Sequence, residues 1–219
     1  MGVALVDIGG GTTDVVVYVD GALVHTAVFP IGGMNLTHDI ATGLRTPEGE
    51  AERIKLRYAC ALCSMVDPDE VIEVPGVGGR ASRTLPRQFL ASITEPRMEE
   101  IFRFVAKVLH ESGNAELLGA GVVITGGASL LEGTLELAEA VLQLPVRQGT
   151  PSGIGGMVEM VRSPAMSTAV GLLKYGATRP HRAAAPAVAP KAERPGVARA
   201  EPAGPGVGTR LWKWINEVL

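Results

Sequence analysis

Two carboxylates separated by glycines and hydroxyls set the chemistry open to this sequence. Asp7 and Asp14 flank Ile8-Gly9-Gly10-Gly11-Thr12-Thr13. Glycines at 9, 10 and 11 let backbone N–H groups approach an anion with no Cβ in the way. Thr12 adds a hydroxyl donor. Asp7 ends an apolar run, where it is placed to hold a hydrated Mg²⁺ or to orient an attacking water; Mg²⁺ keeps several waters and takes one or two carboxylates. The plainer reading is a hairpin turn capped by two aspartates. The full D-x-G-x-G-T-x-D spacing between two strand-like runs favours phosphate.

A second glycine pair, Gly126-Gly127, follows the apolar run Val122-Val123-Ile124-Thr125 and precedes Ala128-Ser129. A strand that ends in glycines just before a helix start suits contact with a nucleotide's sugar, phosphate or base. Taken alone it is as often a plain strand-to-helix turn. Glu52 and Lys55 lie three apart on a helix and therefore on one face, which by itself reads as an exposed ion pair. Arg97 and Glu100 read the same way. Cys60 and Cys63 form a lone C-x-x-C with no second pair or nearby His. On a helix they share a face, and two packed thiols are the expectation. His25 and His38 have no acid or Cys partner in sequence and read as structural.

The elements that must position these groups follow from periodicity. GVALVDIGG, Thr13 to Val19 and Ala22 to Ile31 read as three strands of an antiparallel meander, with Asp20-Gly21 as a hairpin turn. Helical patterns cover 35–44 and 47–61, the second with Thr46 as N-cap and Pro47 at its first position. Residues 71–87 are irregular, with room for short strands. A long helix is expected over 95–112. Strand 120–125, helix 130–142 and strand 146–148 make a β–α–β unit. A last helix spans 163–175, with Pro164 at its first position.

Composition bounds the rest. The chain has 219 residues, 46% apolar and 20% charged, with formal net charge −3. That supports a packed core and argues against a basic nucleic-acid binder; no nucleic-acid partner is expected. Two cysteines fit a reducing compartment, and the first residues carry no signal-peptide pattern. Residues 1–176 hold 13 Lys/Arg and 20 Asp/Glu, for −7; residues 177–219 hold 7 and 3, for +4. Residues 177–208 contain 10 Ala, 6 Pro and 4 Gly and no Leu, Ile, Met or aromatic residue, so a disordered linker is expected. The segment 209–219 that follows holds both tryptophans. On a helix, Leu211, Trp212, Trp214, Ile215, Val218 and Leu219 occupy one face and Arg210, Lys213, Asn216 and Glu217 the other. That separation is the mark of a helix lying at an anionic membrane surface.

DIGGGTTD resembles the second phosphate loop of the actin-like ATPases, and VITGGAS their adenosine motif. Within that superfamily, PIGGMNLTHDIATGLRTPEGEAERIKLRYACAL and ITEPRMEEIF are similar to the bacterial cell-division protein FtsA, over residues 3–176. The resemblance implies an α/β, actin-like (ribonuclease H-like) lobe made of residues 1–45 and 94–176, with a small α+β subdomain inserted at 46–93. The disordered linker and the C-terminal amphipathic helix then follow. It implies ATP and Mg²⁺ as cofactors. Asp7 would be the catalytic and metal-side carboxylate, with Gly9, Gly10, Gly11 and Thr12 on phosphate. Glu52 and Lys55 would meet ribose and adenine, and Gly126, Gly127 and Ala128 the adenosine.

It further implies partners: the C-terminal tail of the tubulin-like FtsZ, met near Arg97 and Glu100, and, for a full-length protein, self-association into filaments. The location implied is the cytoplasmic face of the cell membrane, with the FtsZ ring tethered there. The actin-like fold has two lobes, and this sequence matches from the second. The expectation is therefore of the C-terminal half only, a weak ATPase at most and inactive by itself. Half of a soluble actin-superfamily ATPase or kinase is the alternative; a chaperone would be expected to add a peptide-binding domain, and a kinase has no need of a Trp-rich amphipathic end.

Overall fold

Alternating apolar residues at the start of the chain are those of strands with one buried face. In the computed structural model, which describes residues 1–76, 81–155 and 161–179, they form β1 (Gly2–Ile8), β2 (Thr13–Val19) and β3 (Ala22–Phe29), an antiparallel meander. Asp20 (φ 50°) and Gly21 (φ 80°) both take the left-handed conformation that a two-residue hairpin turn requires. β6 (Val122–Thr125) pairs parallel to β1, and β7 (Val146–Gln148) parallel to β6, giving the order β3-β2-β1-β6-β7. The β–α–β unit is present, with α4 (Thr134–Leu142) as its crossover helix.

One face of this sheet carries the main core. Ala4, Val6, Ile8, Val15, Val17, Val122 and Ile124 are buried with Met98, Ile101, Phe102, Val105 and Leu109 of α3 (Arg87–Glu111). Each large side chain so buried contributes about 1.5–3 kcal/mol relative to exposure. A second cluster joins Ile40 and Leu44 of α1 (Gly33–Leu44), Ala51 and Ile54 of α2 (Glu48–Tyr58), Ile72 and Val74 of β4 (Val71–Val74), and Leu90. β4 pairs with β5 (Arg83–Pro86), so the irregular stretch does contain a two-stranded sheet.

Several boundaries differ from the sequence reading. α3 begins at Arg87, not Glu95, and carries Pro96 inside it. Proline resembles a helix start, yet Leu90, Ala91 and Thr94 are all buried ahead of it. Packing holds the helix through the backbone hydrogen bond that Pro96 cannot donate. One continuous helix therefore serves both apolar clusters and crosses the expected border at residue 94. Thr46 does not cap α2; Pro47 precedes the helix, and the Thr46 hydroxyl donates to the Pro75 carbonyl (2.9 Å). α2 ends at Tyr58, so Cys60 and Cys63 are not on a shared helix face. Cys60 forms a bridge to Glu132, and Cys63 opens a short 3-10 turn. Ser163 accepts from the Ala165 N–H and Pro164 opens a 3-10 turn, as expected of a helix start. The α-helix that follows, α5 (Ser167–Thr178), runs past residue 175.

The chain divides into a unit Met1–Thr178 and a remainder, Arg179–Leu219. Residues 180–208 of the expected linker and the terminal segment with Leu211, Trp212, Trp214, Ile215, Val218 and Leu219 lie outside the described residues. Among the described residues, no helix is long and apolar enough to cross a membrane.

Candidate functional site

β1 ends at Ile8, and the turn Gly9–Thr12 leads into β2 at Thr13. Gly9 N–H donates to the Thr12 carbonyl (2.9 Å) and closes the turn. The carbonyls of Gly9 and Gly10 accept the first N–H groups of α1, from Gly33 (2.9 Å) and Met34 (2.7 Å). Gly32 permits that approach: a Cβ there would stand 2.7 Å from the Gly9 oxygen. Gly9, Gly10 and Gly11 themselves do not take left-handed conformations, and a Cβ on Gly11 would meet nothing within 4 Å. A Cβ on Gly9 would crowd the Thr12 carbonyl at 3.2 Å, so only at Gly11 does the smallness answer to nothing inside the fold. Among the described residues the N–H groups of Gly10, Gly11 and Thr12 have no protein acceptor. The Thr12 hydroxyl donates to Asp14 (3.1 Å).

Asp7 is half-buried at the end of β1, directly opposite Asp14 on β2 and Thr125 on β6. Its Oδ2 accepts the hydroxyl of Thr168 on α5 at 2.7 Å. Gly126, at φ 91°, lies against its other oxygen: a Cβ there would come within 2.4 Å of Asp7 Oδ1 and of the Ile8 carbonyl. The parallel pairing of β1 with β6 thus places the first glycine turn beside the second. Thr125 shares a hydrogen bond with Ser167 (2.6 Å), and Gly126 N–H donates to the Pro164 carbonyl (3.3 Å). Sequence reasoning missed Ser167 and Thr168; two adjacent hydroxyls opening an apolar helix were the available signal.

Lys55 is nearly buried and reaches three oxygens: Glu52 (2.7 Å), the Gly33 carbonyl (2.9 Å) and the Thr37 hydroxyl (2.9 Å). Thr37 also donates to Glu52. Burial raises the Glu52 pKa, and the hydrogen bonds from Lys55 and Thr37 outweigh it, so the carboxyl lies below its ordinary value. The pair is therefore no solvated ornament; it ties α2 to the start of α1. Lys55, Gly33, Gly127 and Ala128 line one cleft of about 280 Å³, together with Leu56, Arg57 and Arg87. Glu52 faces a different, open cleft with Arg97, His38 and Asp39.

Arg97 departs from the expected exposed charge. It grips Asp39 through Nε (2.6 Å) and a second nitrogen (3.1 Å), and also meets Glu100. The Asp39 hydrogen bonds hold its pKa above the ordinary arginine value despite partial burial. Arg87 forms a further hub, donating to the Tyr58 carbonyl (2.6 Å), to Glu70 (2.8 Å) and to Glu132. Burial opposes its charge, but the two carboxylates raise its pKa.

Cys60 and Cys63 are free thiols. Burial, with Glu95 nearby, pushes Cys63 up to about 11, and burial also raises Cys60. Thiols so shifted are poor nucleophiles and poor metal ligands at neutral pH. No group of three or more metal-ligating side chains occurs among the described residues.

The donor set fits a magnesium nucleotide. Free backbone N–H groups at a glycine turn suit phosphate oxygens, and a half-buried carboxylate at the strand end beside them suits a hydrated hard cation.

The family model for "Cell division protein FtsA" matches residues 4–171. The FtsA of Pseudomonas aeruginosa is 52% identical over 176 residues, 80% of this chain and 42% of its own length. That of Neisseria meningitidis serogroup B is 44% identical over 217 residues, 99% of this chain and 51% of its own. The expectation of a likeness to a C-terminal half only is corrected by these matches, which run along 80–99% of the chain with the family model entering at residue 4. The chain spans about half the length of these curated relatives. Among solved structures, the ADP-bound MreB5 of Spiroplasma citri superposes with a TM-score of 0.61 at 16% identity, over 80% of this chain and 54% of that one. The fold is actin-like α/β, as expected.

Proposed function

The chain belongs to the FtsA family of cell-division proteins, and from that premise we propose that it binds ATP with Mg²⁺ in its actin-like body and helps to tether the FtsZ ring to the cytoplasmic face of the membrane. The observation that carries the nucleotide reading is the contact of Asp7 with Gly126, which brings both glycine motifs to one end of the sheet. Gly9 to Thr12 take phosphate oxygens, and Gly127, Ala128 and Lys55 line the cleft for the nucleoside. Glu52 orients Lys55 there. Mg²⁺, when bound, supplies charge neutralisation of the phosphates; Asp7 holds its water shell. Titration calorimetry with ATP, with and without Mg²⁺, tests the site: Mg²⁺-dependent binding that Lys55→Met weakens supports it, and no binding rejects it.

Tethering rests on the terminal residues Leu211, Trp212, Trp214, Ile215, Val218 and Leu219, whose apolar face suits the headgroup region. Their gross contribution is roughly 5–9 kcal/mol before ordering. One copy then binds weakly, and a filament of self-associated copies binds tightly through effective concentration. Flotation with anionic vesicles is expected to carry the whole chain and to fail for Trp214→Glu or Ile215→Glu. Flotation that survives both substitutions rejects the tether. For the FtsZ tail, we propose the middle of α3, with Arg97 and Glu100, as the contact surface.

A further inference from the structure

α5 is thinly held. Of its twelve residues only Val170 is fully buried, while Leu172, Leu173 and Tyr175 stay exposed. Polar ties fasten the segment that opens it: Thr168 to Asp7 (2.7 Å), Ser167 to Thr125 (2.6 Å), and the Pro164 carbonyl to Gly126 N–H (3.3 Å) and to the Thr125 hydroxyl (3.3 Å). These end on the two strand termini that carry the glycine motifs; farther along, Lys174 donates to the Ser152 carbonyl (3.0 Å). For a helix with so little apolar burial, these bonds make up much of what holds it in place.

Asp7 is fixed from two sides. The backbone of Gly126 closes against Oδ1, and Thr168 donates to Oδ2. A carboxylate at the end of a strand has two-fold freedom about its last torsion. The Thr168 hydroxyl removes that freedom, because it supplies a proton to Oδ2 while Gly126 packs against Oδ1.

We propose that Thr168 is a positioning residue for Asp7, and that through this bond the docking of α5 and the binding of a Mg²⁺-nucleotide support one another. The second half rests on the nucleotide reading above; the first does not. A group that pre-orients a metal-side carboxylate acts on affinity without touching the ligand. By linkage, a ligand that orders Asp7 must also tighten the helix bonded to it.

The test uses the full chain with Thr168→Val, which keeps the shape and deletes the donor, Thr168→Ser, which restores it, and Asp7→Ala. In the absence of nucleotide, hydrogen exchange across 167–178 is expected to quicken in Thr168→Val and in Asp7→Ala, and no further in the double variant; Thr168→Ser should exchange as the parent does. With Mg²⁺-ATP as probe, the ratio of affinities in Mg²⁺ and in EDTA is expected to fall about tenfold in Thr168→Val, the order of one hydrogen bond to a charged group, and to recover in Thr168→Ser. Additive exchange rates in the double variant overturn the positioning bond. An unchanged affinity ratio in Thr168→Val, in a parent that binds Mg²⁺-ATP, overturns the coupling alone. A parent that shows no Mg²⁺-dependent binding overturns the nucleotide reading and the coupling, while the exchange cycle still decides the bond between Thr168 and Asp7.

Discussion

Arg97 on α3 and Asp39 on α1 share two hydrogen bonds, 2.6 and 3.1 Å long, with about a quarter of each side chain exposed. The planar guanidinium matches the carboxylate as a fork. This pair joins the helix whose first N–H groups bond the first glycine turn to the helix that spans both apolar clusters. Arg97 thus has a structural duty before any partner arrives.

Reversing Arg97 to Glu sets three carboxylates together, with Asp39 and Glu100. A loss of about 1–3 kcal/mol is expected in urea denaturation, between the values for exposed and buried pairs. Adding Asp39→Arg should restore most of it. Affinity for an FtsZ tail peptide should fall in Arg97→Glu and stay low in the swapped pair if Arg97 meets the peptide directly. Recovery with the swap would assign it the structural duty alone.

Gly126→Ala should be among the most damaging single changes. Its φ of 91° strains any side chain, and the new Cβ would stand 2.4 Å from both Asp7 Oδ1 and the Ile8 carbonyl. The Ile8 contact is with backbone, which cannot swing aside as the end of a side chain can. A loss of about 2–4 kcal/mol follows from backbone strain together with overpacking. Gly11→Ala is the control. It meets open space, so its melting temperature should stay near the parent's, and any loss should show in nucleotide affinity. Equal destabilisation by the two would refute the assignment.

Glu52 supplies a pH signature. Its folded pKa lies below the ordinary 4.5 because Lys55 and Thr37 outweigh burial. A depressed carboxyl contributes stability above its unfolded pKa and loses it as pH falls through the folded value. The parent should therefore lose stability between about pH 4.5 and the lower folded value, and Glu52→Gln should show a shallower slope there. The effect is modest, because Glu52 remains partly exposed to solvent screening. Parallel pH profiles would argue against the Glu52–Lys55 bond.

The cysteines should be slow to alkylate. With Cys63 pushed up to about 11 and Cys60 buried, the thiolate fraction at pH 8 is about two orders of magnitude below that of a free thiol near 8.5. Iodoacetamide followed by mass spectrometry should label both only after unfolding. Rapid labelling of Cys63 in the native chain would contradict its packing.

The residue pattern by itself determined the local elements and the chemistry at hand. Apolar alternation set the meander, Asp20-Gly21 set its second turn, and the β–α–β unit was readable from a buried run, two glycines and a helix. These are short-range signals, since period, turn conformation and capping act within a few residues. What lay beyond them depended on neighbours far along the chain. The start of α3 at Arg87 was hidden because Pro96 mimics a helix start, and burial of Leu90 and Thr94 against other segments overrides it. Lys55 and Arg97 looked solvated until folding brought the Gly33 carbonyl and Asp39 to them. Thr168 stands 161 residues from Asp7, and no periodicity links positions so far apart. Only the parallel pairing of β1 with β6, and the return of α5 across the ends of those strands, closes that distance.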